Sequence, residues 1–389
     1  MKLNRTSWSI VVIVGIALIC VSFIANTTTK PKPLISLSET GASKQVGSGN
    51  QQADSKMMMP NPFSYNYVAD DSLSDKAGSG QVFELKLSGD PKLILQKVAE
   101  ALGVDGAILE PEYSTKEFPT YLIGAQDGQG PSVSINWSGT GNWWFSDPAA
   151  YPSAECLKFE TADDGKNYCS EYAEQKPTPE LLPSKAQMIS EAVKIFSATG
   201  HKVTASEVET SISEWGASAY TSLQIAGQDS PIEWSVNWGS NGKIGSVSGN
   251  SVVALSRGEF STISDRAAVA RMSDWRYSGQ LAQSVWAKNQ LNNDGRMVAY
   301  DGVATTAPSV DSLNGTPDEA TSPEPSPSVV TVTISKALKS NVMIWDKAGR
   351  AWIVPGCILF GNGWITPVFT LEEGVVELPD PVEMSPMVK

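Results

Sequence analysis

The residues of this sequence best suited to binding a ligand are tryptophans that crowd into two similar stretches. One stretch reads IGAQDGQGPSVSINWSGTGNWW over residues 123–144, and the other reads IAGQDSPIEWSVNWGSNGKI over residues 225–244. Flat aromatic faces beside Asn and Gln amides suit stacking and hydrogen bonding to a sugar or a peptide. The tryptophans concerned are Trp137, Trp143, Trp144, Trp234 and Trp238.

The same rings could instead fill the core of a sheet, as aromatic residues do in strands. Strand alternation places Trp234 and Trp238 on one face, which favours the core interpretation for that stretch. Trp143 and Trp144 are adjacent, so they point to opposite faces and a one-sided sheet cannot bury both. Trp143, Trp144 and the neighbouring Asn142 are therefore the candidate ligand or partner surface.

Catalytic and metal-binding patterns are sparse in this chain. The sequence has no G-x-S-x-G, C-x-x-C or P-loop motif, and its one histidine, His201, follows a helix-ending glycine at a position typical of the surface. Residues 163–167 and 292–295 resemble calcium loops but lack the full ligand set, so turn chemistry explains them. We expect a protein that is not an enzyme and needs no cofactor or metal.

The cysteines predict one disulfide bond. Cys156 and Cys169 enclose a short polar loop, and closing a loop of this length would stabilise the fold by about 3 kcal/mol. An oxidising compartment outside the cell favours such a bond. Cys357 lies in an apolar run and is expected to be a buried core residue rather than a reactive thiol.

The N-terminus predicts a signal anchor over residues 1–25. Lys2 and Arg5 precede 18 uncharged residues, from Trp8 to Ala25, which is about the minimum for a membrane-spanning helix. Positive charge before the span places the following residues outside the cell. No small-residue cleavage site or lipid-attachment pattern closes the run, so an uncleaved anchor is favoured over cleaved or lipidated export.

The net charge of −13 limits the partners of the chain. An acidic surface disfavours nucleic acid and adsorption to anionic lipid, since both require basic patches. The partner is expected to be a protein or a cell-envelope ligand, with the membrane reached through the N-terminal helix alone.

The two tryptophan-rich stretches also predict the architecture. Gln126 and Gln228 are 102 residues apart, Asn136 and Asn237 are 101 apart, and helix-like segments precede each stretch at residues 93–102 and 188–199. We therefore predict an α+β fold of tandem duplicated helix-plus-antiparallel-meander units, with an N-terminal transmembrane helix and a C-terminal β tail.

The predicted domains follow from this pattern and from composition. They are the anchor (1–25), a disordered spacer (26–60), the first unit with the disulfide loop (61–175), the second unit (176–303), a disordered linker (304–329) and the tail (330–389). The second unit includes an additional helix over 265–277. The tail is too small to fold alone and is expected to dock its hairpins on a sheet edge of one unit.

Two motifs carry a resemblance to known proteins. Residues 65–80 match YNYxxDxxLSDxAGSG, and residues 345–356 match WDxxGxxWxVPG. With the anchor and the duplicated units, this order resembles a group of actinobacterial single-pass exported proteins of unassigned activity. The helix-then-meander shape is also similar to PepSY-like and YycH-like extracytoplasmic domains. The resemblance implies an inhibitory or sensory module and brings no functional residues.

These observations lead to one preferred function and two alternatives. The preferred function is a non-enzymatic, membrane-anchored extracytoplasmic module for binding, sensing or regulation at the cell envelope. The first alternative is a protein that binds cell-wall glycan or peptidoglycan. The least favoured is a hydrolase with an unrecognised carboxylate site.

The anchor predicts that protease added to intact protoplasts removes all residues beyond Asn26, because the positive N-terminus stays inside. The measurement is immunoblotting of the full-length chain before and after digestion. Complete protection would reverse the predicted orientation.

Overall fold

The computed structural model describes residues 32–37, 63–162, 165–291, 328–361 and 364–381. The predicted anchor, residues 1–25, lies outside these ranges, as do most of the spacer and most of the linker. Within the described ranges, no helix combines the length and apolarity that crossing a bilayer requires. The membrane anchor therefore stays a prediction from the sequence.

The fold is α+β, with mostly antiparallel strands and few helices. The strands are β1 (Ile35–Ser36), β2 (Phe63–Ala69), β3 (Gly78–Leu87), β4 (Thr120–Gly124), β5 (Ser132–Asn136), β6 (Trp143–Ser146), β7 (Cys156–Thr161), β8 (Asn167–Tyr172), β9 (Glu209–Ser213), β10 (Gly216–Ile225), β11 (Gln228–Trp238), β12 (Ile244–Gly249), β13 (Val252–Thr262), β14 (Ser328–Ile334), β15 (Lys336–Trp345), β16 (Ala351–Gly361), β17 (Trp364–Phe369) and β18 (Val376–Glu377). The α-helices are α1 (Pro91–Leu102), α2 (Lys185–Ala198), α3 (Asp265–Ala268) and α4 (Gln283–Leu291).

The larger sheet has seven strands in the order β4–β5–β6–β12–β11–β10–β9, with every neighbouring pair antiparallel. β4 to β6 form one meander and β9 to β12 form another. The two meanders join through their last strands, where Phe145 lies opposite Val247 and Trp143 lies opposite Gly249. Both tryptophan-rich stretches therefore belong to one continuous sheet.

Helices α1 and α2 pack on the same face of this sheet and contact each other. The Asp90 side chain accepts hydrogen bonds from the backbone of Lys92 and Leu93 at the start of α1, and Gly103 ends that helix in the left-handed conformation. At the start of α2, Ser184 and Gln187 form a capping box, in which each side chain bonds the backbone of the other residue.

The core beneath the two helices contains the apolar face of both meanders. Trp234, Val236 and Trp238 are all buried there, which confirms the alternation predicted for that strand. The buried residues from the helices are Leu95, Val98, Ala99, Met188, Ala192, Ile195 and Phe196.

A second sheet runs in the order β13–β3–β16–β15, with β17 also paired to β16. Two parallel pairs, β2 with β14 and β1 with β18, complete this part of the molecule. β3 lies in this sheet and not beside the first meander, although its residues fall within the predicted first unit. The C-terminal tail pairs with that strand, so it adds to the second sheet and not to an edge of the seven-stranded sheet.

The helix predicted over residues 265–277 is interrupted. After α3 the chain continues as short 3₁₀ turns over Val269–Ser273 and Trp275–Tyr277. The buried Arg271 guanidinium donates to the carbonyls of Phe369 (2.7 Å) and Leu371 (2.8 Å), and the Asp274 carboxylate accepts from the backbone of Arg276 (3.1 Å). These bonds fix a bent segment, because a regular helix could not place all of the groups at once.

The loop between the predicted cysteines is a hairpin of β7 and β8, and the structure contains the Cys156–Cys169 disulfide. Four large side chains of the hairpin are exposed: Leu157, Phe159, Tyr168 and Tyr172. Cys357 is buried, as expected, and burial raises the pKa of its thiol to about 12. Cys357 therefore stays a protonated thiol in the core and is unreactive.

The junction of the two meanders predicts a strict size limit at Gly249. A Cβ there would lie 2.3 Å from Trp143 Cζ2 and 2.4 Å from Trp234 Cδ1. We expect Gly249→Ala to lower the free energy of unfolding by about 1–3 kcal/mol through overpacking. Urea denaturation of the full-length chain measures this change.

The matched control is Gly78→Ala in β3, where the nearest atom to an added Cβ is Thr262 Oγ1 at 3.4 Å. That variant should change stability by less than about 1 kcal/mol. Equal effects of the two substitutions would contradict the packing described at the junction.

Candidate ligand-binding cavity

A cavity of about 1060 Å³ lies between the seven-stranded sheet and the second sheet. Its walls come from the polar face of the first sheet, the loop after β5, the turn between β15 and β16, and the segment around Trp275. This volume is at the upper end of the range for small-molecule and cofactor sites. The cavity is therefore large enough for a ligand of several rings or residues.

The first wall is built from small polar side chains on the face opposite the helices. Ser248 lines the cavity, and its Oγ lies 2.9 Å from Ser235 Oγ in the neighbouring strand. Asn142 Nδ2 donates to the Gly249 carbonyl (3.0 Å), and Asn250 Nδ2 donates to the Glu233 carbonyl (2.8 Å). The strands thus hold both amide side chains in fixed positions.

Glu233 is a half-buried carboxylate on this wall. Its Oε1 accepts from the backbone nitrogen of Gln283 (2.6 Å) and from Ser222 Oγ (3.3 Å). Burial is the main cause that raises the pKa of Glu233 above its ordinary range. The carboxylate joins the start of α4 to the sheet.

The opposite wall is organised by the buried carboxylate of Asp346. Its Oδ2 accepts from Arg350 Nε (2.7 Å) and Trp352 Nε1 (3.0 Å), and its Oδ1 accepts from the backbone of Ala348 (2.9 Å) and Arg350 (3.0 Å). These four bonds close the β15–β16 turn and set the direction of the Arg350 side chain.

A second buried carboxylate, Glu84, completes the same network. It is 3 % exposed and pairs with Arg257, while Arg350 Nη1 lies 3.4 Å from Glu84 Oε1. Two carboxylates and two guanidinium groups therefore neutralise each other where β3, β13 and β16 meet. Pairing of this kind is what permits such groups to be buried.

Aromatic side chains supply the apolar part of the lining. They are Phe118, Trp137, Trp275 and Trp345. Gly139, at φ 57°, lies directly against the Trp345 ring, since a Cβ at that position would be 2.8 Å from it. The close approach of Gly139 ties the loop after β5 to the opposite wall.

Of the three predicted surface residues, Asn142 lines the cavity and the two tryptophans do not. Trp143 is 0 % exposed and packs among the core residues beneath the helices, so it cannot contact a ligand. Trp144 is 38 % exposed and lies opposite Ser248 on the polar face, as adjacent strand residues must alternate.

Sequence reasoning did not identify the second wall of the cavity. Trp345, Asp346, Gly349 and Arg350 all belong to the WDxxGxxWxVPG motif, which supported only a resemblance. The sequence signal that could have indicated this wall is the motif itself, in which charged residues and glycines lie between Trp345 and Trp352.

His201 is not at the open surface that its sequence position indicates. Its ring stacks on Trp234 with centroids 3.5 Å apart, and Nε2 is buried with no hydrogen-bond partner among the described residues. Burial lowers the pKa of His201 to about 4, and the nearby Glu207 raises it in part. The imidazole is therefore neutral at physiological pH.

The described residues contain no group of three or more His, Cys, Asp or Glu side chains placed to hold a metal ion. Residues 163–164 and 292–295, from the calcium-like stretches, lie outside these ranges.

Comparisons with known proteins identify no family. No family model and no curated protein matches the chain. A crystal structure of an uncharacterised protein from Eubacterium rectale ATCC 33656 is similar over 82 % of this chain and 91 % of that chain, with 8 % identity and a TM-score of 0.36. A likeness of that size supports no conclusion about function.

His201 predicts a specific pH dependence of stability. Its pKa is about 4 when folded and 6.5 ordinarily, so the unfolded chain takes up the proton first as the pH falls. Stability is full above pH 6.5 and declines down to pH 4, by up to about 3 kcal/mol. Denaturant unfolding across this range measures the decline.

The control variant is His201→Phe, which keeps a ring against Trp234 and cannot be protonated. It should lose less stability than the wild type between pH 6.5 and pH 4. The two proteins have the same titrating groups apart from His201, so the difference between their losses is the contribution of the imidazole. If the free energy of unfolding fell equally with pH in the two proteins, His201 would not be a buried, neutral histidine.

Proposed function

We propose that the protein is a non-enzymatic, membrane-anchored extracytoplasmic module that binds a cell-envelope ligand in the cavity between its two sheets. The observation that carries the proposal is the cavity itself, about 1060 Å³ in volume and lined by four aromatic side chains and several fixed amides. Concave sites that combine apolar surface with oriented polar groups are the usual form of a binding site.

Binding is favoured over hydrolysis by the contacts of three of the four carboxylates that line the cavity. Asp346 and Glu84 are engaged with arginines, and Glu233 is engaged with the start of α4. A general acid or base must be able to exchange a proton with the substrate. These three carboxylates instead hold the walls of the cavity together.

Export is supported by the N-terminal charge pattern and by the disulfide in the β7–β8 hairpin. Only residues 26–34 separate the predicted anchor from β1, so the folded part would lie within about 30 Å of the bilayer even if those residues were fully extended. That distance suits a module working within a cell envelope, which is also what the resemblance to exported actinobacterial proteins implies.

We also propose that the two meanders arose by duplication. Val133, Ile135 and Trp137 follow the same order along the first meander as Trp234, Val236 and Trp238 along the second, 101 residues later. In both cases a capped helix precedes the strands and packs on the same face of the sheet. The antiparallel β6–β12 pairing relates the two meanders by an approximate two-fold axis.

A protein partner is the second candidate ligand, and the β7–β8 hairpin favours it. Four large exposed side chains on a disulfide-closed hairpin are available for contact, and within the described part of the chain the strands of the hairpin pair only with each other. Large apolar side chains that stay exposed often mark interaction surfaces.

The test is a substitution that fills the cavity. Ser248→Trp places a large ring on the cavity wall, and we expect it to weaken sedimentation with isolated cell envelope at least tenfold, because the ligand loses its space. The measurement is the fraction of purified full-length chain that pellets across a series of envelope concentrations.

Ser146→Trp is the matched control, since Ser146 is on the same face of the sheet, is exposed and does not line the cavity. It should bind like the wild type. Equal binding by all three proteins would rule out the cavity as the site, and a loss confined to variants of Phe159 and Tyr168 would favour the hairpin.

A further inference from the structure

We infer that the ligand of the cavity is an uncharged glycan chain, an inference that rests on the binding function proposed above. Three properties of the cavity point to this class: rigid aromatic faces, fixed amide groups and the balance of charge. A fourth observation, the pairing of the surrounding strands, disfavours an extended peptide.

The first property is the rigidity of the aromatic faces. Trp275 is 46 % exposed, yet it stands on a short turn held by Arg276, which pairs with Asp274 (2.6 Å) and donates to the Pro379 carbonyl (2.8 Å). Trp345 is held against Gly139. Rings fixed before binding lose little entropy when a flat apolar ligand face stacks on them.

The second property is the supply of hydrogen-bond acceptors. The Nδ2 groups of Asn142 and Asn250 are used on backbone carbonyls, whereas the Oδ1 atom of each has no hydrogen bond among the described residues. Such oxygens can accept from ligand hydroxyl groups. A sugar ring presents both an apolar face and a rim of hydroxyls.

The third property is charge balance. Four basic side chains (Lys86, Arg276, Lys347 and Arg350) and four acidic side chains (Glu84, Glu117, Glu233 and Asp346) line the cavity. The most buried of them are paired with each other or with neighbouring groups. A lining without net charge favours an uncharged ligand, because a charged one would lose its hydration without compensation.

An extended peptide would be expected to add as a strand to an open sheet edge. β5 lies between β4 and β6, and β12 lies between β6 and β11, so neither has a free edge. On β15, the Met343 backbone exchanges two 2.9 Å hydrogen bonds with Gln280. The strands that form the cavity walls therefore offer little backbone to a peptide.

The experiment uses isolated cell envelope treated in two ways before sedimentation with the full-length chain. Protease digestion removes envelope proteins, whereas periodate oxidises the vicinal diols of sugars. We expect binding to survive protease, to be lost after periodate and to vary little with salt concentration. Trp275→Ala should weaken it about tenfold through loss of stacking.

Trp215→Ala is the matched control, because Trp215 is also 46 % exposed but lies outside the cavity. Its binding should equal that of the wild type. Binding that is lost after protease and kept after periodate would overturn the glycan inference while leaving the proposed binding function intact.

Three other outcomes would also be decisive. Periodate-sensitive binding that falls steeply with salt would show a charged glycan and overturn the inference. Equal weakening by Trp275→Ala and Trp215→Ala would place the glycan outside the cavity. Absence of binding to every preparation would overturn the proposed function together with the inference.

Discussion

The pairing of β6 with β12 is the interaction on which the rest of this structure depends. A three-stranded meander covered by one helix leaves a strand edge open, and open edges promote aggregation. Here each meander covers the edge of the other, and Gly249 leaves room for the Trp143 ring at the junction. One continuous core then forms under α1 and α2. The opposite face of the sheet keeps its serine and asparagine side chains and becomes a wall of the cavity.

The second sheet is assembled from distant parts of the chain. β13 begins three residues after β12 ends, so the chain passes directly from one sheet to the other. β3, β13 and β16 meet at Glu84, whose pairing with Arg257 and Arg350 joins residues separated by more than 170 positions. Because Arg350 is also bonded to Asp346, the same charge network shapes the turn that faces the first sheet. The cavity is thus a consequence of how the two sheets are connected.

Local signals in the sequence predicted local structure well. The alternation of Trp234 and Trp238 and the Cys156–Cys169 disulfide follow from nearby residues, and the structure contains both. β13 carries no regular alternation and bulges near Gly258, so the sequence did not indicate it. The bent segment after α3 depends on bonds from Arg271 to residues almost 100 positions away.

The candidate site was predicted only in part, because long-range strand pairing brings most of its residues together. Asn142 was identified because it adjoins the repeated strand, whereas Trp275, Trp345 and Arg350 reach the cavity through long-range pairing. The adjacency of Trp143 and Trp144 showed that one ring must be exposed, but the burial of Trp143 is decided by the β6–β12 junction. No periodicity in one stretch can show which residues a second sheet will place opposite it.

Hydrogen exchange measured by mass spectrometry can show whether the ligand lies between the two sheets. The full-length chain would be compared with and without soluble glycan released from protease-treated envelope. A ligand between the sheets should slow exchange in residues 136–142 of the first sheet and residues 343–350 of the second, in the same complex. Slower exchange confined to the hairpin over residues 156–172, with both walls unchanged, would contradict this location.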